Sequence, residues 1–125
     1  MILQYIAALV VLLGLDALWL GVIAKSFYAN ELGHLFRSSP LWLPIALFYI
    51  LYAVAIIYFA VPTSGSLLKG ALLGAALGFT AYMTYDLVNY ATIKDWPLTV
   101  VLVDMLWGTF ITMCAALVAT WVTRF

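Results

Sequence analysis

Four long apolar runs, residues 2–24, 41–61, 67–90 and 98–122, are set apart by short polar breaks. A helix needs about 20 apolar residues to cross hydrocarbon, so each run is long enough to span. The breaks carry the usual helix punctuation. Ser39-Pro40 predicts an N-cap followed by proline at the first helical position, and Asp95-Trp96-Pro97 opens the last run the same way. Pro44, one turn further in, is expected to bend its helix slightly. The stretch from Val61 to Ser66 reads as a tight turn with Ser66 as N-cap. Residues 25–39 form the longest connection, with Tyr28, Leu32, Leu35 and Phe36 at helical spacing and Glu31 and Arg37 on other faces. That pattern predicts a short amphipathic helix in the membrane interface. The expected fold is all-α, one four-span membrane bundle over residues 1–125 with an interfacial helix between the first two spans.

Composition sharpens this picture. The chain is 68% hydrophobic and 8% charged, against about 25% charged in soluble domains. Its five basic and five acidic side chains cancel, which removes the electrostatic footprint of a nucleic-acid partner. The expected partners are the lipid bilayer and, because four helices barely enclose a cavity, a second copy or a larger membrane complex. The first run lacks a basic leader and a cleavage site and is expected to remain as a span. Cys114 and the lone His34 read as a packing residue and a surface polar residue. Basic residues number three on the loop side (Lys25, Arg37, Lys94) and two on the side of the termini (Lys69, Arg124), a bias too small to fix orientation.

Against this background the acids stand out. Asp16 lies nine residues before Lys25, Asp86 eight before Lys94 and Asp104 nine after Asp95. At about 1.5 Å per residue, all three fall roughly 12–14 Å below one membrane surface. Tyr49, eight residues into the second span, falls at the same level. On the third span Tyr82, Tyr85, Asp86, Asn89 and Tyr90 share an arc of about 140°. Gly70, Gly74 and Gly78 form a close-packing stripe beside that arc, which predicts that this span is central. Asp104, Gly108, Thr112, Ala115 and Ala119 make a second small or polar stripe. The motif D-x-L-W occurs twice, at Asp16–Trp19 and Asp104–Trp107, and supplies indole donors beside carboxyl acceptors. The two helices run antiparallel, so Trp19 should lie shallower than its acid and Trp107 deeper.

An aspartate near mid-span costs about 2.5–3.5 kcal/mol on insertion. No Lys or Arg lies beyond the end turn of any run to neutralise it. The carboxyls are therefore neutral and hydrogen-bonded, bound to a cation, or lining a wet cavity. Such clusters are functional by default. The candidate site is Asp16, Asp86, Asp104, Asn89, Tyr49, Tyr82, Tyr85, Trp19 and Trp107.

The segments LDALWLG, FYILY, AYMTYDLVNYATIKDWP and VDMLWGT, spread from Asp16 to Thr109, resemble a bacterial family of small four-span inner-membrane proteins. That family is known only as a domain of unknown function (DUF2177-like). Val88 stands where its pattern commonly has threonine. The resemblance implies a bacterial inner-membrane protein and no particular reaction. Three function classes fit the residues. The first is proton- or cation-coupled transport, or binding of a cation or small ligand, at the three acids. The second is an accessory or scaffold subunit whose acids staple helices. The third is an intramembrane enzyme acting on a lipid or isoprenoid, with Asp86 and Asp104 as acid and base or as oxygen ligands to magnesium. Cofactors stay open, but histidine-free spans argue against haem and against histidine-held zinc or iron, and no nucleotide fingerprint is present.

Overall fold

The computed structural model describes residues 1–125 and is all-helical. Its elements are α1 (Ile2–Leu18), a π-helical turn (Trp19–Ile23), α2 (Lys25–Leu32), a 3-10 turn (Gly33–Leu35), α3 (Trp42–Ala60), α4 (Leu67–Thr92) and α5 (Leu98–Val122). The segments Ile2–Ile23, Trp42–Ala60, Leu67–Thr92 and Leu98–Val122 are long and apolar enough to cross a membrane. Their outward faces expose Leu, Ile, Val and Phe, the surface that lipid requires. Each of these segments begins and ends within two residues of an apolar run of the sequence.

The caps agree only in part. Ser66 caps α4, its hydroxyl accepting from the Lys69 N–H at 3.2 Å. Neither Ser39 nor Asp95 caps a helix. α3 starts after Leu41 and α5 after Pro97, and neither has a side-chain cap. Asp95 instead adopts φ 65°, in the left-handed region that aspartate tolerates, and turns the chain between α4 and α5. Pro44 is the third residue of α3, where a missing N–H breaks no helical bond.

The polar connection also departs from expectation. Its helix ends at Leu32, and Leu35 and Phe36 are exposed. Tyr28 and Leu32 are buried against Trp96, Val100 and Val101, so α2 is packed protein, a floor under the loop-side end of α5. The i→i−5 turn that precedes it, closed by Ala24 N–H on Trp19 C=O at 2.7 Å, lets the chain leave α1 and swing beneath the bundle.

The centre is α5, not the third span. It packs on α4, α1 and α3 and is the most buried of the four spans. The α4 glycines do face it closely. A Cβ at Gly74 would meet Ala116 Cβ at 2.6 Å and Thr112 O at 2.8 Å, and Gly70 and Gly78 sit equally tight on Thr120 and on Gly108 with Thr112. α4 supplies one small-residue stripe. α5 supplies a wider one, Ile111, Thr112, Ala115, Ala116, Ala119 and Thr120, which serves α1 and α3 as well. The dry core follows: Ala8 and Leu12 of α1 and Ala53, Ile56 and Ala60 of α3 close on this α5 face.

Candidate functional site

Toward the loop side the packing opens. A cavity of about 400 Å³ lies among all four spans. Asp16 and Leu20 come from α1 and its π turn, Phe48, Tyr49 and Tyr52 from α3, Ala81, Tyr82 and Tyr85 from α4, and Asp104 and Trp107 from α5. Each wall has a local cause. Gly108 has no side chain, so the Tyr82 ring lies directly on the α5 backbone. Tyr52 stays in place through a 2.7 Å hydrogen bond with Thr112 Oγ1 and a stacked contact with Phe48, ring centroids 5.3 Å apart.

The two D-x-L-W motifs exchange partners. Trp107 Nε1–H donates to Asp16 Oδ1 at 2.8 Å, and Tyr49 donates its hydroxyl to Asp16 Oδ2 at 2.6 Å. Trp19 Nε1–H donates to the Tyr28 hydroxyl at 3.2 Å, which in turn donates to Asp104 Oδ1 at 2.9 Å. The two indoles stack at 4.5 Å with an interplanar angle of 8°. Side chains lean toward the N-terminus of their own helix. Trp19 therefore leans deeper and Trp107 shallower, and rings from opposite sides of the acid layer meet.

Asp86 behaves differently. It is fully buried between α4 and α5 with neither oxygen accepting from any N–H or O–H. Its carboxyl lies close to that of Asp104 on α5. The Trp96 N–H, whose ring meets that of Tyr85 edge-on at 6.0 Å, is also buried without a partner.

Asp16, Asp104, Tyr49, Tyr82, Tyr85 and Trp107 thus share one cavity wall. Asp86 stands behind Asp104, and Trp19 behind Trp107. Asn89 is half-buried beside Tyr85 and does not line the cavity. Tyr90 points outward, so the expected tyrosine arc around Asp86 is incomplete. No three His, Cys, Asp or Glu side chains converge as a metal-ligand set. Tyr28, Phe48 and Tyr52 belong to this region and were not among the sequence candidates. Tyr28 shares the buried face of α2 with Leu32, and that spacing was its only signal. Burial pushes the Tyr28 phenol above its ordinary pKa, and the Asp104 charge adds to the effect, so Tyr28 remains a donor at neutral pH.

A family model described as "Predicted membrane protein (DUF2177)" matches residues 1–121. The chain belongs to that family. No curated protein and no solved structure matches it. Membership in DUF2177 places the chain among integral membrane proteins embedded in a lipid bilayer. The chemistry of the cavity has to be argued from its own residues.

Proposed function

We propose that the DUF2177 cavity binds an organic cation, of quaternary-ammonium type, and couples that binding to a proton. One observation carries this reading. Two carboxyls and the rings of Phe48, Tyr49, Tyr52, Tyr82, Tyr85 and Trp107 line one cavity, and no Lys or Arg lies beyond the end turn of any span. Aromatic faces carry negative potential and attract cations within about 6 Å, most strongly where water is excluded. Asp16 already accepts two hydrogen bonds, but a carboxylate offers about four lone-pair sites and keeps capacity for a cation. A volume of about 400 Å³ falls in the range of small-molecule sites, about 300–1,000 Å³.

Asp86 supplies the coupling. A hydrogen bond between two carboxyl groups needs a proton on one of them. Around this pair stand Tyr28 from α2, which donates to Asp104, and, lining the same cavity as Asp104, Tyr82 and Tyr85 from α4 and Asp16 from α1. A cation arriving at Asp104 competes with that shared proton and releases it. This arrangement suits a proton-coupled transporter. The Asp16 hydrogen bonds to α3 and α5 favour a second reading, in which the acids only tie helices together.

Calorimetric titration of the purified protein with tetramethylammonium in weak buffer separates the two. The proposal expects saturable binding, release of up to one proton per cation, and at least a tenfold loss of affinity in Asp104→Asn. Asp86→Asn should abolish proton release. Well-folded variants with no binding in the wild type would leave the acids as helix ties.

A further inference from the structure

On its other side, Asp16 borders a second space. A groove of about 830 Å³ runs between α1 and α3 on the lipid-facing surface. Leu9, Leu13 and Ala17 line it on one side and Trp42, Ala46 and Ile50 on the other. The apolar packing of α1 on α3, through Ala8, Leu12, Ala53 and Ile56, lies in the half near the termini, and toward the loops the Tyr49–Asp16 hydrogen bond ties the two helices across the groove. The long link before α3 lets the start of that helix stand off, with Trp42 70% exposed. From Leu9 to Gly21 the groove follows α1 for about 18 Å, close to the roughly 15 Å thickness of one hydrocarbon leaflet. It is apolar except at Asp16 and Tyr49. Those two residues and Leu20 also wall the aromatic cavity, so groove and cavity share one partition.

We infer that the cation is amphipathic, with a single apolar chain that lies in the α1–α3 groove while its charged head occupies the aromatic cavity, and that it enters laterally from the bilayer. This rests on the cation-binding proposal above. The groove opens to lipid, so an acyl-like chain costs little to seat there, whereas the Asp16 carboxyl on its wall, with lone-pair sites left beyond its bonds from Tyr49 and Trp107, favours positive charge. Asp16 lies within reach from either side of the partition. Leu20 and Tyr49 form the sill over which the head passes. Tyr49 must then release its 2.6 Å bond to Asp16, and the incoming cation replaces that partner with a full charge.

The test uses the full chain in lipid nanodiscs and a dodecyltrimethylammonium probe bearing a photoreactive diazirine at mid-chain. Adducts are mapped by mass spectrometry with and without excess tetramethylammonium. The expected result is labelling on residues 9–21 of α1 and its π turn and on residues 42–50 of α3, reduced at least fivefold by tetramethylammonium. Labelling of the remaining lipid-facing surface should not respond to the competitor. Ala46→Trp fills the groove and should remove the groove adducts alone. Groove labelling indifferent to the competitor would mark an ordinary lipid contact and overturn the inference. Saturable tetramethylammonium binding without groove labelling would overturn it too, while leaving the cavity as a cation site. Labelling by a neutral dodecanol probe that survives tetramethylammonium would assign the groove to an uncharged chain and equally contradict the inference. If tetramethylammonium does not bind at all, both proposals fall together.

Discussion

The two halves of the bundle solve opposite problems. Near the termini, Ala, Gly and Thr stripes bring α4 onto α5, and α1 and α3 close over Ala115, Ala116 and Ala119, leaving between them only an apolar groove of about 260 Å³ at Tyr5, Val54 and Tyr58. Near the loops, the same four helices hold one cavity lined by two acids, a third acid without an N–H or O–H donor and an open groove. Lipid tails are as apolar as leucine, so dense backbone packing is what holds membrane helices together. The tight half provides that packing. The loose half retains groups that cost free energy to bury, which is the arrangement expected where binding rather than cohesion decides the residues.

The largest effect should come from violating the tight half. Gly74→Leu drives a side chain into Ala116, Thr112 O and Met113 Cα, two of them backbone atoms that cannot swing aside. It is expected to cost about 3 kcal/mol or more or to block folding. Ala76→Leu, exposed on the same helix, should change stability by less than about 0.5 kcal/mol. Thermal unfolding in detergent compares them, and equal midpoints would remove the contrast between the halves.

Asp86→Leu should act in the opposite direction. It exchanges a buried acid that accepts no N–H or O–H bond for an apolar group, and should raise stability by about 1–3 kcal/mol. A fall in the unfolding midpoint would mean that the pairing of Asp86 with Asp104 stabilises the fold by more than burying the acid costs. Tyr49→Phe removes one hydrogen bond to Asp16 and should lower stability by about 1–2 kcal/mol. A neutral result would show that water replaces the phenol, making the cavity wetter than its lining suggests.

The sequence disclosed the tight half more readily than the loose one. Gly70, Gly74 and Gly78 recur every four residues, a period that local pattern detects. Their complement on α5 is built from Thr112, Ala116 and Thr120, ordinary residues whose role emerges only when α4 lies on them. For that reason the glycine stripe points to α4 as the central span, whereas α5 holds that place. The acids were visible as costly exceptions, and their shared depth followed from counting residues. The exchange of donors between the two D-x-L-W motifs was not visible, because it depends on which way antiparallel side chains lean. Tyr28 lay in the most polar connection, 76 residues from the Asp104 that it serves. Ser66 capped its helix as expected, whereas Asp95 was drawn into a left-handed turn by the short link to Trp96 and Pro97.

The smallest predicted effect concerns the floor of the loose half. The folded pKa of Tyr28 is raised by burial and by Asp104, so its contribution to stability is complete below the ordinary tyrosine value. That contribution fades as pH climbs from about 10 toward the folded value. Tyr28→Phe should therefore flatten part of the loss of thermal stability between about pH 9 and pH 11. Identical alkaline slopes in the two proteins would place Tyr28 in contact with solvent.

The central claim is that the aromatic, acid-lined cavity holds an organic cation. Locating the arsenic of tetramethylarsonium by anomalous diffraction from soaked crystals tests it most directly. The account predicts one dominant peak inside the cavity, within about 6 Å of at least two of the rings of Tyr49, Tyr52, Tyr82 and Trp107, and its loss in Asp104→Asn. An empty cavity beside ordered Tyr49, Trp107 and Asp16, or arsenic only at the loops, would contradict it.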